Sequence, residues 1–292
     1  MVGTLLAAGL ALSSPSAAID DRTLTVSGTA RADAFVLRAD ANFLQINDRR
    51  VSRSRFDSLV VRARGGRDRI TLDDADAPLE DVTLDGGSGD DTLAGGSGDE
   101  VLLGREGRDR IDGNAGADLA VMGSGRDRFT WDPGDGSDRV EGQAGRDELL
   151  FNGAAAAENF DVSANGRRAR FFRDVGNITI DLGGVERIRN VALAGADTVT
   201  VGDLTGTAVR AVLAELDGDA DEDSVTVTGT DADDAIRVAG SNGRVDVTGL
   251  AAAVRITGTD ANTETLVVET GAGDDEVDST DLAPGTIALV EN

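Results

Sequence analysis

The sequence predicts an all-β fold, a parallel β-roll of glycine/aspartate nonapeptides flanked by less regular parallel β-helix coils. Three observations predict it. From Gly86 to Leu150 the chain repeats in nines, with one two-residue slip. Each nine joins a glycine-rich turn of six residues to a three-residue segment with an apolar residue at the eighth place. Aromatic residues are 3 % of the chain and tyrosine is absent. That composition matches a thin solenoid core of Val, Ile, Leu and Ala better than a conventional interior.

The copies read GGSGDDTLA, GGSGDEVLL, GREGRDRID, GNAGADLAV and MGSGRDRFT. An insertion at Trp131 and Asp132 follows, then PGDGSDRVE and GQAGRDELL. Glycine holds the fourth place at Gly89, Gly98, Gly107, Gly116, Gly125, Gly136 and Gly145. An acidic residue holds the sixth at Asp91, Glu100, Asp109, Asp118, Asp127, Asp138 and Asp147. Glycine supplies backbone angles with φ > 0 that other residues reach only with strain. The eighth place (Leu93, Leu102, Ile111, Ala120, Phe129, Val140, Leu149) points inward. A linker has no need of such an in-phase apolar position.

Two nines make one coil, and coils stack at the usual strand spacing of about 4.8 Å. Asp91, Asp109 and Asp127 then fall on one edge, and Glu100 and Asp118 on the other. Stacked carboxylates about 5 Å apart repel by roughly 0.8 kcal/mol in water and about 3 kcal/mol at an effective dielectric of 20. Bare repeats should therefore be loose. A hard cation between coils removes the repulsion. Calcium takes six to eight oxygens, backbone carbonyls among them. The turn offers carbonyls at its first, third and fifth places and a carboxylate at its sixth. Metal binding and folding would be coupled.

These GGxGxD turns resemble the repeats-in-toxin (RTX) family of secreted bacterial calcium-binding proteins, and nonapeptide repeats of this form build calcium-binding parallel β-helices. The resemblance implies Ca2+ as the bound ion, two to four ions in all, and an extracellular setting. It implies a ligand set of Gly86, Ser88, Asp90 and Asp91; Gly95, Ser97, Asp99 and Glu100; Gly104, Glu106 and Asp109; Gly113, Ala115 and Asp118; and Asp127. Sites are expected to be best at Asp91, Asp109 and Asp118. Glu100 stands where the repeat has Asp, Arg105 replaces a second-place glycine, and Met122 a first-place one. Arg108, Arg126 and Arg146 precede the sixth-place carboxylate. The later copies are therefore expected to lean on arginine–carboxylate contacts.

Elsewhere the chain divides into a leader (residues 1–18), an N-terminal solenoid segment (19–85), the roll (86–150) and a C-terminal solenoid segment (151–292). The leader has an apolar run, Leu5 to Leu12, and Ser16-Ala17-Ala18 fits a small-residue cleavage site before Ile19. The run is too short to span a membrane. Strand-like alternation begins at Leu24. The unit GxDx-apolar recurs at Gly66/Asp68/Ile70, Gly195/Asp197/Val199 and Gly273/Asp275/Val277. The flanks therefore extend and cap the roll. Val209 to Leu216 is the one stretch with any helical character. Arg167, Arg168, Arg170 and Arg173 form a basic patch, read as the solvated face of a hairpin, with an anionic glycan as the other reading. Asp217 to Asp223 begins like an EF-hand loop, but Glu222 stands at the required glycine and Thr228 at the closing glutamate.

Net charge is −26, and all 28 basic residues are arginine. Such a chain repels nucleic acid and anionic membranes, and no later segment is apolar enough for membrane insertion. Histidine and cysteine are absent, which removes the serine triad, HExxH zinc chemistry and thiol chemistry. The expectation is a secreted calcium-binding protein with a structural, surface or adhesive role, its other partners cell-surface glycans or matrix, and not an enzyme. The alternative is a polysaccharide lyase or hydrolase on a β-helix, since two carboxylates suffice for glycoside hydrolysis. Pore formation would need a long apolar region and acylated lysines, and the chain has neither.

Overall fold

The computed structural model describes residues 15–217 and 221–292. Residues 1–14 of the expected leader, and part of the Asp217–Asp223 segment, lie outside the described residues. The described chain is all-β, with strands joined by turns and two single-turn 3-10 segments, Arg53–Arg55 and Val175–Asn177. No helix among them is long and apolar enough to cross a membrane. Two compact units are present, Met1–Asp147 and Glu148–Asn292.

In the first unit the strands are β1 (Ser16–Asp20), β2 (Thr23–Ser27), β3 (Ala34–Ala39), β4 (Phe43–Ile46), β5 (Arg49–Ser52), β6 (Ser58–Arg62), β7 (Arg69–Asp73), β8 (Val82–Ser88), β9 (Thr92–Ala94), β10 (Glu100–Gly107), β11 (Arg110–Asp112), β12 (Leu119–Gly125), β13 (Arg128–Trp131) and β14 (Arg139–Gly145). One sheet runs β1-β2-β6-β8-β10-β12-β14. The other runs β13-β11-β9-β7-β3-β4-β5. Pairing is parallel, except that β1 lies antiparallel on β2 and β3-β4-β5 form an antiparallel meander. Ser16 to Ala18, at the expected cleavage site, are part of β1.

The nonapeptide explains this layout. Val101 pairs with Leu119, and Arg110 with Arg128, so two nines close one coil with a strand in each sheet. The eighth-place residues, continued by Leu84 and Ile70 before the nines, form two inward columns. Leu84, Leu102, Ala120 and Val140 are in register on one sheet, and Ile70, Leu93, Ile111 and Phe129 on the other. All eight are buried. Each buried Val, Leu, Ile or Phe contributes about 1.5–3 kcal/mol. The inserted Trp131 is fully buried, and its indole N–H donates to the Gly136 carbonyl at 2.8 Å. The insertion thus adds core and ties down the next turn.

In the second unit the strands are β15 (Glu148–Asn152), β16 (Asn159–Asn165), β17 (Arg168–Arg173), β18 (Ile178–Gly183), β19 (Arg187–Val191), β20 (Thr198–Val201), β21 (Ala211–Glu215), β22 (Ser224–Thr228), β23 (Ala235–Gly240), β24 (Arg244–Thr248), β25 (Ala253–Thr257), β26 (Thr265–Glu269), β27 (Glu276–Leu282) and β28 (Ala288–Glu291). Its sheets run β18-β17-β16-β20-β22-β26-β28 and β27-β23-β24-β25-β21-β19-β15. The meanders β16-β17-β18 and β23-β24-β25 are antiparallel. Phe151, Phe160 and Phe171 pack together, with ring centroids 4.4 to 6.0 Å apart.

Two expectations meet the structure here. Val209 to Leu216 is not helical: β21 occupies its centre and pairs with β19 and β25, with Val212 and Ala214 buried. Its alternation of apolar residues at every second place outweighs the helix propensity of its Ala and Leu residues. The basic patch lies on the β16-β17-β18 meander, as the hairpin reading has it. Three of its four cations are matched by carboxylates: Arg168 with Asp181 at 2.6 Å, Arg170 with Asp161 at 3.0 Å, and Arg173 with Glu158.

Candidate metal centre

The sixth-place carboxylates sit where each turn enters the next strand, and all seven are at most 3 % exposed. Their geometry follows one rule. The Oδ1 atoms of Asp109, Asp118, Asp127, Asp138 and Asp147 each accept the backbone N–H of the sixth-place residue one coil earlier. On one edge Asp91 donates to Asp109 at 2.8 Å, Asp109 to Asp127 at 2.8 Å, and Asp127 to Asp147 at 3.0 Å. On the other edge Glu100 donates to Asp118 at 2.7 Å and Asp118 to Asp138 at 3.0 Å. The spacing is 18 residues for the first step of each edge and 20 where the insertion intervenes. The stacked charges are thus interleaved with N–H dipoles and do not face one another bare.

The second oxygen is different. In Asp91, Asp109, Asp118, Asp127 and Asp138 it is Oδ2, and in Glu100 it is Oε1. Each is buried without a hydrogen-bond partner. A buried carboxylate oxygen left in that state costs free energy comparable to a lost hydrogen bond or more. Burial pushes Asp109 and Asp138 up to about 7, Asp118 up to about 8 and Glu100 up to about 7, and nearby carboxylates add to the rise. Asp91 and Asp127 are raised for the same first cause, burial.

The turn glycines shape this cradle. A methyl group at first-place Gly86 would lie 2.6 Å from Oδ2 of Asp91, and one at Gly104 would lie 2.6 Å from Oδ2 of Asp109. At Gly113 it would overlap Oδ2 of Asp118, and at Gly95 it would crowd Oε2 of Glu100 at 2.7 Å. At Gly86, Gly104 and Gly113 the glycine leaves open the side of the carboxylate that carries the free oxygen, whereas at Gly95 it leaves room for the Glu100 oxygen that accepts the Gly96 N–H. The fourth-place glycine has a separate reason. Gly107 has φ of 138°, and a Cβ there would overlap the carbonyl of Gly89 in the preceding coil; Gly125 stands in the same relation to Gly107.

The remaining expected ligands are placed as follows. Third-place Ser88 and Glu106 are exposed, and their carbonyls accept from Gly66 and Gly89 at 2.8 and 2.7 Å. The Gly95 carbonyl accepts from the Asn114 amide at 2.8 Å. Fifth-place Asp90 and Asp99 use side-chain oxygens to accept N–H groups of Arg108 and Ala117 one coil on, at 3.0 and 2.8 Å. Ser97 donates both its N–H and its hydroxyl to Asp74. Ala115 is half-buried in its turn. No three acidic side chains among the described residues form a metal cluster. A cation here would take one free carboxylate oxygen per coil and fill its shell with carbonyls, a donor set that a hard ion accepts.

The arginines do not divide early copies from late ones. Arg105 pairs with Asp85 at 3.1 Å and Arg139 with Glu141 at 2.8 Å, both on the strand faces. Asp127 and Asp138 keep the same free second oxygen as Asp91. Arg108, Arg126 and Arg146, before the sixth place, are exposed, while the carboxylates that follow them are buried. The ladder also reaches further than the nines. Asp33 donates to Asp68 and Asp68 to Asp91, at 2.6 and 2.8 Å. Asp68 is 2 % exposed with a free Oδ2, and burial pushes its carboxyl up to about 6. The GxDx-apolar unit at Gly66 was its sequence signal.

Fold and turns together define a parallel β-solenoid with buried carboxylate ladders. Residues 80–99, 94–129 and 133–150 match the RTX calcium-binding nonapeptide repeat, and the chain carries repeats of that family. No curated protein matches the chain.

Proposed function

We propose that this is a secreted calcium-binding repeat protein that becomes rigid in extracellular calcium and serves a structural, surface or adhesive role. Asp91, Asp109, Asp118 and Asp127, with Glu100, would supply carboxylate oxygens. The turn carbonyls at Gly86, Ser88, Asp90, Gly95, Ser97, Asp99, Gly104, Glu106, Gly113 and Ala115 would complete the shells. The observation that carries this reading is the buried second oxygen of each sixth-place carboxylate. Calcium outside the cell would neutralise a ladder that water cannot reach. Glycans or matrix polymers are the partners that such a rigid acidic surface would meet through calcium bridges. The absence of histidine, cysteine and tyrosine supports a non-catalytic role. The test is calorimetric titration with calcium alongside circular dichroism. Saturable binding of two or more ions, with a gain of β signal reversed by chelator, is expected. No heat at millimolar calcium, or a spectrum and thermal transition indifferent to chelator, would overturn it.

A further inference from the structure

The second unit contains its own carboxylate stack, outside every residue matched by the nonapeptide family. Asn159, Thr198, Ser224 and Thr265 pair in register across β16, β20, β22 and β26. The residue before each is acidic: Glu158, Asp197, Asp223 and Glu264, each 1 to 2 % exposed. Glu158 donates its N–H to Oδ1 of Asp197 at 2.8 Å, and Asp197 donates to Oδ1 of Asp223 at 2.8 Å. This is the rule of the nonapeptide ladder, at sequence separations of 39 and 26 residues.

The ends of the stack are compensated. Glu158 takes Arg173 on Oε1 and the Ala154 N–H on Oε2. Glu264 takes the Thr263 hydroxyl on Oε1 and the Asp260 N–H on Oε2. Asp197 is not compensated. Its Oδ2 is buried without a hydrogen-bond partner. Gly195, two residues before it, has φ of 124°, and a Cβ there would meet the backbone of Ala156 in the preceding coil, as at a fourth-place glycine of the roll. Glycine, acidic residue and inward Val199 thus rebuild the turn at positions four, six and eight, with no nonapeptide around them.

We propose that Asp197 is the centre of a second divalent-cation site, taking a hard, oxygen-liganded ion such as calcium between the coils of Glu158 and Asp223. Arg173 answers the charge of Glu158 and leaves that of Asp197 to the ion. Burial and the adjacent acidic groups push the Asp197 carboxyl up to about 7, so at neutral pH a proton is the ion's competitor. This proposal extends the calcium reading to a unit that no family match covers, and it can fail while that reading stands.

The experiment is hydrogen exchange read by mass spectrometry on the full chain, in calcium and in chelator. It uses the wild type, Asp197→Asn, and the double variant Asp109→Asn/Asp118→Asn. Asn keeps the Oδ1 acceptor and removes the charge. Calcium should slow exchange over Thr198–Val201 by about tenfold or more in the wild type and in the double variant, as a ligand that stabilises a local closed state does. In Asp197→Asn that slowing should vanish while the response over Gly86–Leu150 remains, and equilibrium dialysis should count one calcium fewer. Equal exchange over Thr198–Val201 in calcium and chelator in the wild type would overturn the proposal, as would a wild-type response in Asp197→Asn. The wild-type comparison decides alone if Asp197→Asn does not fold. A missing response over Gly86–Leu150 would instead count against the central repeats.

Discussion

The roll of residues 86–150 and the coils of the second unit solve one packing problem with different lengths of chain. In the roll a carboxylate step spans 18 or 20 residues. In the second unit comparable steps span 39, 26 and, for Asp234 to Asp275, 41 residues. Hairpins such as β16-β17-β18 take up part of the difference. At Asp197 and Asp223 the buried carboxylate, its Oδ1 bond to the previous coil and the inward apolar residue two places on are nevertheless the same, while Asp234 and Asp275 keep the bond at half-buried positions. Strand register, not repeat length, therefore specifies the ladder. Parallel pairing fixes which residues stack, and whatever the chain does between strands is free to vary.

The comparison breaks most sharply at the fourth-place glycines. Gly107→Ala would drive a methyl group into the Gly89 carbonyl, with φ of 138° besides. A loss of about 3 kcal/mol or more is expected, since overlap with backbone cannot relax by a side-chain rotation. Gly206 in the second unit has φ of 87°, and a Cβ there would lie 3.8 Å from the nearest atom. Gly206→Ala should cost only the conformational term of about 1–2 kcal/mol. Equal urea midpoints for the two variants would sink the stacking account.

Next comes calcium itself, and with it pH. Without calcium, burial raises the folded carboxyls of Glu100, Asp109 and Asp138 to about 7 and that of Asp118 to about 8, while the unfolded chain titrates near 4. The folded state then holds more protons than the unfolded one between those limits. Stability should rise as pH falls from 8 toward 5, because stability increases in the direction that favours the state binding more protons. A melting temperature at least about 5 °C higher at pH 5 than at pH 8 is expected in chelator. With saturating calcium the trend should reverse, because protons displace the ion. The same melting temperature at both pH values in chelator would show that the ladder is not buried as described.

Much of this was legible in the sequence, for a physical reason. A period of nine fixes which residues stack, so the two edges and the inward places Leu102, Ala120 and Val140 and Leu93, Ile111 and Phe129 could all be read. The Oδ1 bond between coils could not, because it depends on the distance from a carboxylate to a neighbouring N–H. Its absence from the reading made stacked charge look more repulsive than it is. The side of the coil that Arg108, Arg126 and Arg146 face was likewise not legible, because proximity in sequence says nothing about it; all three are exposed. At Val209–Leu216, pairing with β19 and β25 decided the strand.

A smaller effect tests the core of the second unit. Asn190 is fully buried on β19, in register between Phe151 and Ala214, and neither its amide oxygen nor its nitrogen has a partner. The inward columns of the roll hold no such residue. Asn190→Val should stabilise the protein by about 1–2 kcal/mol, the range for removing an unsatisfied buried amide. A decrease in the urea midpoint would mean that the amide holds something, such as a buried water.

The smallest effect returns to the roll. Arg105 holds φ of 82° at a second-place position where Gly87 and Gly123 have φ of 100° and 106°. Arg105→Gly removes a left-handed non-glycine residue, a relief of about 1 kcal/mol. It also removes an ion pair with Asp85 in which the arginine is half exposed, worth about 0–1 kcal/mol. The greater freedom of glycine in the unfolded chain opposes the gain by a further 0.4–1 kcal/mol or so. The sum lies between a gain of about 0.6 and a loss of about 1 kcal/mol. Arg105→Ala keeps the strained angle and loses the pair, so it should be less stable than Arg105→Gly in the same urea titration. If alanine were as stable as glycine there, backbone angle would not be what the second place of the nonapeptide selects.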